Sequence, residues 1–182
     1  MAGRKISDTN ANGDTTYYTY DSLDRLIKTT APFDGTVTSE QKLFYDGNSN
    51  VIKKQTKRSE NQYTTEEYTY NSMGNITGSI ARDESGDMCV KYEYDAIGRL
   101  SAMTTGLSNL TDTAGGKTTS YTYTDRSRIE ATTDPMGRSV RNVYDSYGNL
   151  TQKTDRNGTV TQYTYTPFGI ASENAGNEKT YW

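Results

Sequence analysis

At 182 residues the chain is long enough for one ordinary domain or for one piece of a repetitive array. No histidine, one cysteine and a formal charge of -3 without a basic cluster exclude an intramolecular disulfide framework and a nucleic-acid-binding face. Leu, Ile, Val and Phe are scarce, whereas threonine is the commonest residue and there are 16 tyrosines, so the chain is expected to order through sheet and not helix.

Taken in chain order, the same corner keeps returning. The copies are Tyr20-Asp21-Ser-Leu-Asp24-Arg25-Leu26, Tyr45-Asp46-Gly-Asn-Ser49-Asn50-Val51, Tyr70-Asn71-Ser-Met-Gly74-Asn75-Ile76 and Tyr94-Asp95-Ala-Ile-Gly98-Arg99-Leu100. A worn copy, Tyr123-Thr124-Asp125-Arg-Ser127-Arg128-Ile129, precedes Tyr144-Asp145-Ser-Tyr-Gly148-Asn149-Leu150, and Tyr165-Thr166-Pro-Phe-Gly169-Ile170 closes the series. The anchors at 20, 45, 70, 94, 123, 144 and 165 are 25, 25, 24, 29, 21 and 21 residues apart. The shortest spacing is the basic unit, and the longer ones are expected to be loop insertions.

A second turn lies inside each unit. It reads Asp134-Pro-Met-Gly137 and Asp155-Arg-Asn-Gly158 in the compact copies, and Asp34-Gly35, Lys57 to Asn61 and Asp83 to Gly86 elsewhere. Gly13, Gly137 and Gly158 each stand seven residues before the next anchor, so a repeat is two strands and two turns. In such a turn an initial Asp or Asn accepts hydrogen bonds from amides further on, and Gly takes the positive φ that ends a type I turn in a hairpin. Period-2 alternation then puts both tyrosines of Tyr18/Tyr20, Tyr68/Tyr70, Tyr92/Tyr94, Tyr121/Tyr123 and Tyr163/Tyr165 on one face, with Thr or Glu between them on the other. Leu26, Val51, Ile76, Leu100, Ile129 and Leu150 recur six residues past each anchor and are expected to stack as cross-strand ladders. An isolated hairpin of this kind is not stable, so neighbours must support each other. The predicted fold is all-β: a single array over 1–182 of about seven tandem antiparallel β-hairpins laid side by side.

The unit Gly-x4-Tyr-x-Tyr-Asp-x-x-Gly-Arg/Asn-Leu resembles the YD repeat of RHS-repeat proteins, over essentially the whole chain. The resemblance implies large secreted or cell-surface proteins: bacterial RHS and wall-associated polymorphic toxins, the B and C components of insecticidal toxin complexes, and teneurins. It also implies a long curved or spiralling sheet that forms part of a hollow shell, enclosing a toxic C-terminal domain in the toxins. Asp24 and Ser49 in the glycine place, the shifted Asp125 and the Thr166-Pro167 pair are departures, expected to alter their turns. Asp134-Pro-Met-Gly137 shares only four letters with the boundary of the RHS core segment and sits mid-array, so no cleavage site is assigned. Gly3-Arg4 matches the end of a corner, and Gly176 to Tyr181 copies Gly158 to Tyr163, as in a piece cut from a longer array with open strand edges that invite self-association.

Sites for chemistry are few. Asp8 to Asp14 spells half a calcium loop, but Thr19 stands where the twelfth position needs an acid, and a repeat turn accounts for the segment better. Sequons at Asn75, Asn109, Asn149 and Asn157 follow from the repeat's own taste for Asn near turns at three of the four. Cys89 has no histidine to activate it, and the recurring Asp residues all have one turn job, so no enzyme, metal or cofactor is expected. No apolar run reaches the length of a membrane span, and the opening Met1-Ala-Gly-Arg-Lys5 lacks the apolar segment of a signal peptide. Two functions follow. In the preferred one the chain is a structural wall, its partners being the remaining repeats or the toxin domain. In the alternative, exposed tyrosines with Trp182 bind cell-surface glycans. Burial of the Tyr-x-Tyr pairs discriminates between them.

Overall fold

The computed structural model describes every residue except 1, 2, 35, 36, 60, 61, 84, 85, 168, 176, 177 and 182. Gly35, Gly176 and Trp182, each invoked from the sequence, therefore lie outside the described residues. Among the described residues all regular structure is β-strand, and the chain divides into two compact units.

The first unit comprises 1–91 with 105–115. It contains β1 (Ser7–Thr9), β2 (Thr15–Tyr20), β3 (Leu26–Asp34), β4 (Val37–Tyr45), β5 (Val51–Ser59), β6 (Gln62–Tyr70), β7 (Ile76–Asp83) and most of β8 (Gly86–Tyr94). Sheet order follows chain order and the pairings from β1 to β8 are antiparallel, so each strand bonds to the one before and the one after.

The second unit comprises 92–104 with 116–182. It holds the end of β8, the start of β9 (Leu100–Leu107), and then β10 (Lys117–Tyr123), β11 (Ile129–Thr133), β12 (Ser139–Tyr144), β13 (Leu150–Thr154), β14 (Val160–Thr166), β15 (Gly169–Ala175) and β16 (Glu178–Tyr181), from β10 onwards again a meander in chain order. Because the turns are local, strand pairing among the described residues is with the neighbour in sequence, the low-contact-order logic of a linear repeat.

Two expectations are corrected. The 24- and 25-residue spacings arise from longer strands and not from loops: β3 to β6 each have nine residues, against five in β11 and β13. Their ladders run on to Asp34 paired with Val37, Ser59 with Gln62 and Asp83 with Gly86. Only the 29-residue spacing carries a long loop, between β9 and β10. Extra residues added in pairs on both strands extend the ladder and keep side chains on their faces, whereas an insertion in a loop gains no hydrogen bonds.

Pairing in the first unit fixes the faces. Thr19, Lys28, Lys42, Gln55, Thr65, Arg82 and Asp87 form one transverse row, with Phe44, Lys53, Glu67, Ile80 and Cys89 in the next row of the same face. Tyr18, Thr29, Gln41 and Thr56 form a row on the opposite face, as do Tyr68, Ser79 and Val90. The face away from the tyrosines, expected to carry Thr or Glu between them, is laced by ion pairs. Lys28 and Lys42 hold Glu40 at 2.5 and 2.8 Å, and Lys53 and Arg82 hold Glu67 at 3.7 and 3.3 Å.

Full burial is rare. Cys89 is 1% exposed and Leu107 4%, and most other large side chains are half-buried. The 108–115 segment folds back on its own unit, bringing Leu110 against Gly78 of β7. Gly78 makes room for it: a Cβ there would stand 2.6 Å from Leu110 Cδ1 and 2.8 Å from Thr69 Oγ1. Asn109 Oδ1 holds the segment's turn by accepting from Thr111 N, Thr111 Oγ1 and Asp112 N at 2.7–2.9 Å.

Candidate functional site: the tyrosine corners

Nine turns among the described residues share one geometry, beginning at Asn10, Asp21, Asp46, Asn71, Asp95, Thr124, Asp134, Asp145 and Asp155. In each, the amide of the first residue donates to the carbonyl four residues on (2.8–3.0 Å), and the amide of the fourth donates back to the first carbonyl (2.9–3.1 Å). The fourth residue is left-handed: Gly74, Gly98, Gly137, Gly148 and Gly158 have φ between 78 and 94°. This is a type I turn closed by a left-handed bulge residue, which matches the strand twist. The departures at Asp24 and Ser49 and the shifted Asp125 of the worn copy do not alter it, a further correction, because Asp24 (φ 64°), Ser49 (φ 67°) and, in the worn copy, Ser127 (φ 60°) take the same left-handed conformation. Only the Thr166-Pro167 copy differs among them, with Thr166 paired directly to Gly169. The calcium-like segment is one of the nine turns, Asn10 Oδ1 accepting from Asn12 N and Asp14 N at 2.9 Å.

The first side chain does the holding. One oxygen of Asp21, Asp46, Asp95, Asp134 and Asp155, and of Asn71, accepts from the amides two and four residues on. Asp145 takes Gly148 N and Asn149 N at 2.7 and 2.8 Å. The other carboxylate oxygen receives the fifth residue's side chain: Arg25 (2.7 Å), Asn50 (2.9 Å), Arg99 (2.6 Å), Arg138 (2.9 Å) and Asn149 (2.9 Å). These bonds favour the charged form. The Arg25 amide chiefly lowers the Asp21 carboxyl below the usual carboxylate range, and the side chains of Asn50 and Asn149 do the same for Asp46 and Asp145. At Asp95 and Asp134 partial burial is the largest influence and pushes upward, but the amides and guanidinium of Arg99 and Arg138, with the amides of Ile97 and Met136, together outweigh it and leave both carboxyls lowered.

Five anchor tyrosines face the aliphatic residue six positions on across the bulge, Tyr20 pairing with Leu26, Tyr45 with Val51, Tyr70 with Ile76, Tyr123 with Ile129 and Tyr144 with Leu150, and Tyr165 pairs with Ile170. Sequence reasoning missed what the hydroxyl does. It reaches back to the preceding repeat, donating from Tyr45 to Leu26 O (2.7 Å), Tyr70 to Val51 O (2.7 Å), Tyr123 to Leu100 O (2.8 Å), Tyr144 to Ile129 O (3.0 Å) and Tyr165 to Leu150 O (2.8 Å). Tyr20 does the same to Lys5 O at 3.0 Å. The ladder explains why. Pairing of β3 with β4 begins at Lys28, of β5 with β6 at Lys53 and of β13 with β14 at Gln152, two residues short of the carbonyl in question. The phenol supplies the donor that the ladder no longer can. Phenylalanine would fill the same space and leave the carbonyl short.

Both tyrosines of every Tyr-x-Tyr pair are half-buried, and burial raises the phenols of Tyr70, Tyr94 and Tyr163. Among the residues whose burial is described, the well-exposed tyrosines are Tyr17, Tyr63 and Tyr147, none of them an anchor. Cys89 is buried and free. Among the described residues no group of three or more Asp, Glu, Cys or His side chains is placed to hold a metal ion.

A family model described as Teneurin YD-shell matches residues 3–111 and again 62–173. No curated protein sequence matches. Among solved structures, the crystal structure of TcdB2-TccC3 without its hypervariable C-terminal region aligns with 93% of this chain at a TM-score of 0.70 and 12% identity, over 9% of that chain. TcdB2-TccC3-Cdc42 aligns over 93% of this chain and 11% of that one, with TM-score 0.55 and 12% identity. The Tc holotoxin pore of Photorhabdus luminescens gives 96% and 11%, with TM-score 0.53 and 14% identity. The present chain thus spans about a tenth of the solved chains it resembles, and those likenesses are of fold. With its corners repeated from Tyr20 to Tyr165 and the family model matching from residue 3 to residue 173, the chain belongs to the teneurin YD-shell family.

Proposed function

We propose that the chain is a non-catalytic stretch of shell wall, whose sheet helps to enclose or present a toxin or effector domain in a larger secreted or cell-surface protein. The observation that carries this reading is the use of the tyrosines. Six anchor hydroxyls are bonded to main-chain carbonyls of the preceding repeat, and the paired rings are half covered, so the commonest aromatic residue is engaged in joining hairpins. The recurring corner carboxylates Asp21, Asp46, Asp95, Asp134 and Asp145 are likewise engaged by turn amides. The partners in this reading are further YD repeats, paired along open strand edges, and the enclosed domain.

Glycan binding by a tyrosine strip has less support, because the exposed tyrosines are not the repeated ones. The test is cryo-electron microscopy of the whole gene product. Residues 7–166 should form part of a continuous wall around enclosed protein density; an open strip with its tyrosine face in solvent, joined to glycan-array binding lost on replacing Tyr17, Tyr63 and Tyr147, would overturn the proposal.

A further inference from the structure

Three left-handed turn residues are polar and not glycine, and each meets an arginine from the corner before it. Arg25 Nη1 donates to Asp46 O (3.0 Å) and Ser49 Oγ (3.2 Å) while its guanidinium lies 4.7 Å from the Tyr45 ring centre. Arg99 Nη1 repeats this on Thr124 O (3.1 Å) and Ser127 Oγ (3.3 Å), 4.6 Å from the Tyr123 ring. Arg4 forms an ion pair with Asp24 and reaches Asp21 O at 3.5 Å, 5.6 Å from the Tyr20 ring. A side chain at φ near +60° is strained, so something must hold it there.

Corners ending in asparagine have the opposite neighbour. Asn50 is followed by Gly74 and Asn75 by Gly98, and a Cβ at Gly74 would stand 3.9 Å from Asn50 Oδ1, with no donor that crosses the gap. Arg128 shows what the initial acid contributes. Its corner begins with Thr124, so no carboxylate anchors Nε, and the guanidinium has moved onto the next turn, where a Cβ at Gly148 would be 1.7 Å from Nη2. Serine is excluded there by space.

We propose that the arginine ending one corner, anchored on its own aspartate at Arg25 and Arg99, and the polar left-handed residue of the next are a matched pair that specifies which repeat can follow which. The two halves lie 20, 24 and 28 residues apart at Arg4/Asp24, Arg25/Ser49 and Arg99/Ser127, so the pairing acts across a repeat boundary whatever the strand length. Arginine suits the task because its planar fork serves two turns and a ring at once, which lysine cannot do. Corners with Asn and Gly lack this constraint and are interchangeable with one another.

Native-state hydrogen exchange on the full chain tests the pair. Arg25→Asn should lower protection of the Asp46 and Ser49 amides in the following corner about two- to fivefold, as expected for a contacting pair. In the Ser49→Gly background the same change should have little effect. If Arg25→Asn moves only the Asp21 and Asp24 amides of its own turn, the proposal fails. A transplant gives the second arm. Gly74→Ser alone should lower protection of the Asn71 and Gly74 amides, and adding Asn50→Arg should restore it. Equal restoration by Asn50→Arg with Gly74→Ala, which has no hydroxyl, would overturn the pairing.

Discussion

Removing one hydroxyl tests the corner directly. In Tyr70→Phe the ring stays, so its carbon burial and its pairing with Ile76 are unchanged and only the 2.7 Å bond to Val51 O is lost. A neutral hydrogen bond of this kind contributes about 0.5–1.5 kcal/mol net, and an acceptor stranded in a fully buried place costs about 1–3 kcal/mol. Val51 and Tyr70 are only half-buried, so water recovers part of the deficit and the lower figure applies. The expected loss is about 1 kcal/mol, roughly a fivefold fall in the folding equilibrium constant. Urea unfolding followed by far-UV circular dichroism measures it, with Tyr147→Phe as control, since Tyr147 is 88% exposed and anchors no neighbour. If the two variants are equally stable, the hydroxyls do not join the repeats and the account of why tyrosine recurs is wrong.

Stability should also fall in acid. The carboxyls of Asp21, Asp46, Asp95, Asp134 and Asp145, and of Glu40 between Lys28 and Lys42, sit below their usual range when folded. The unfolded chain therefore binds protons first, the stabilisation is complete above the unfolded values, and it is lost as pH drops through the folded ones, roughly between pH 5 and pH 2. Urea midpoints that stay level across that range would refute it. Gly158→Ala, in open space at φ 84°, should cost about 1–2 kcal/mol of left-handed strain, and Gly148→Ala at φ 94° should cost more because it also displaces Arg128; equal losses would deny the contact. Gly78→Ala pushes Leu110 off the sheet, so protease cleavage within 108–116 should accelerate while urea midpoints move little.

The hairpins were legible because their signal is local. Asp, two free positions, Gly and a fixed count to Tyr specify turn type, bulge and pairing partner within a dozen residues, and no distant contact competes. What crosses a repeat boundary was not legible. The acceptor of the Tyr45 hydroxyl is a carbonyl 19 residues upstream, and its identity depends on where the ladder of β3 and β4 stops, which composition does not reveal. Serine at 49 and 127 looked like damage until its arginine was placed beside it. The ion-pair lacing of Glu40 and Glu67 depends on register, and Leu110 meets Gly78 only because a loop doubles back; no period in the sequence announces either. The lengthened strands were mistaken for loops because Lys, Arg, Gln and Thr at 53–58 are poor advertisements for a ladder, although edge-to-edge hydrogen bonding needs none of their side chains.

The mortar between repeats is supplied on one side by a phenol and on the other by a peptide group. Every amino acid brings that peptide group, so the receiving strand is free to drift in sequence without loosening the joint. Only a sparse alphabet at the bends is then required of the sequence for the joint to hold.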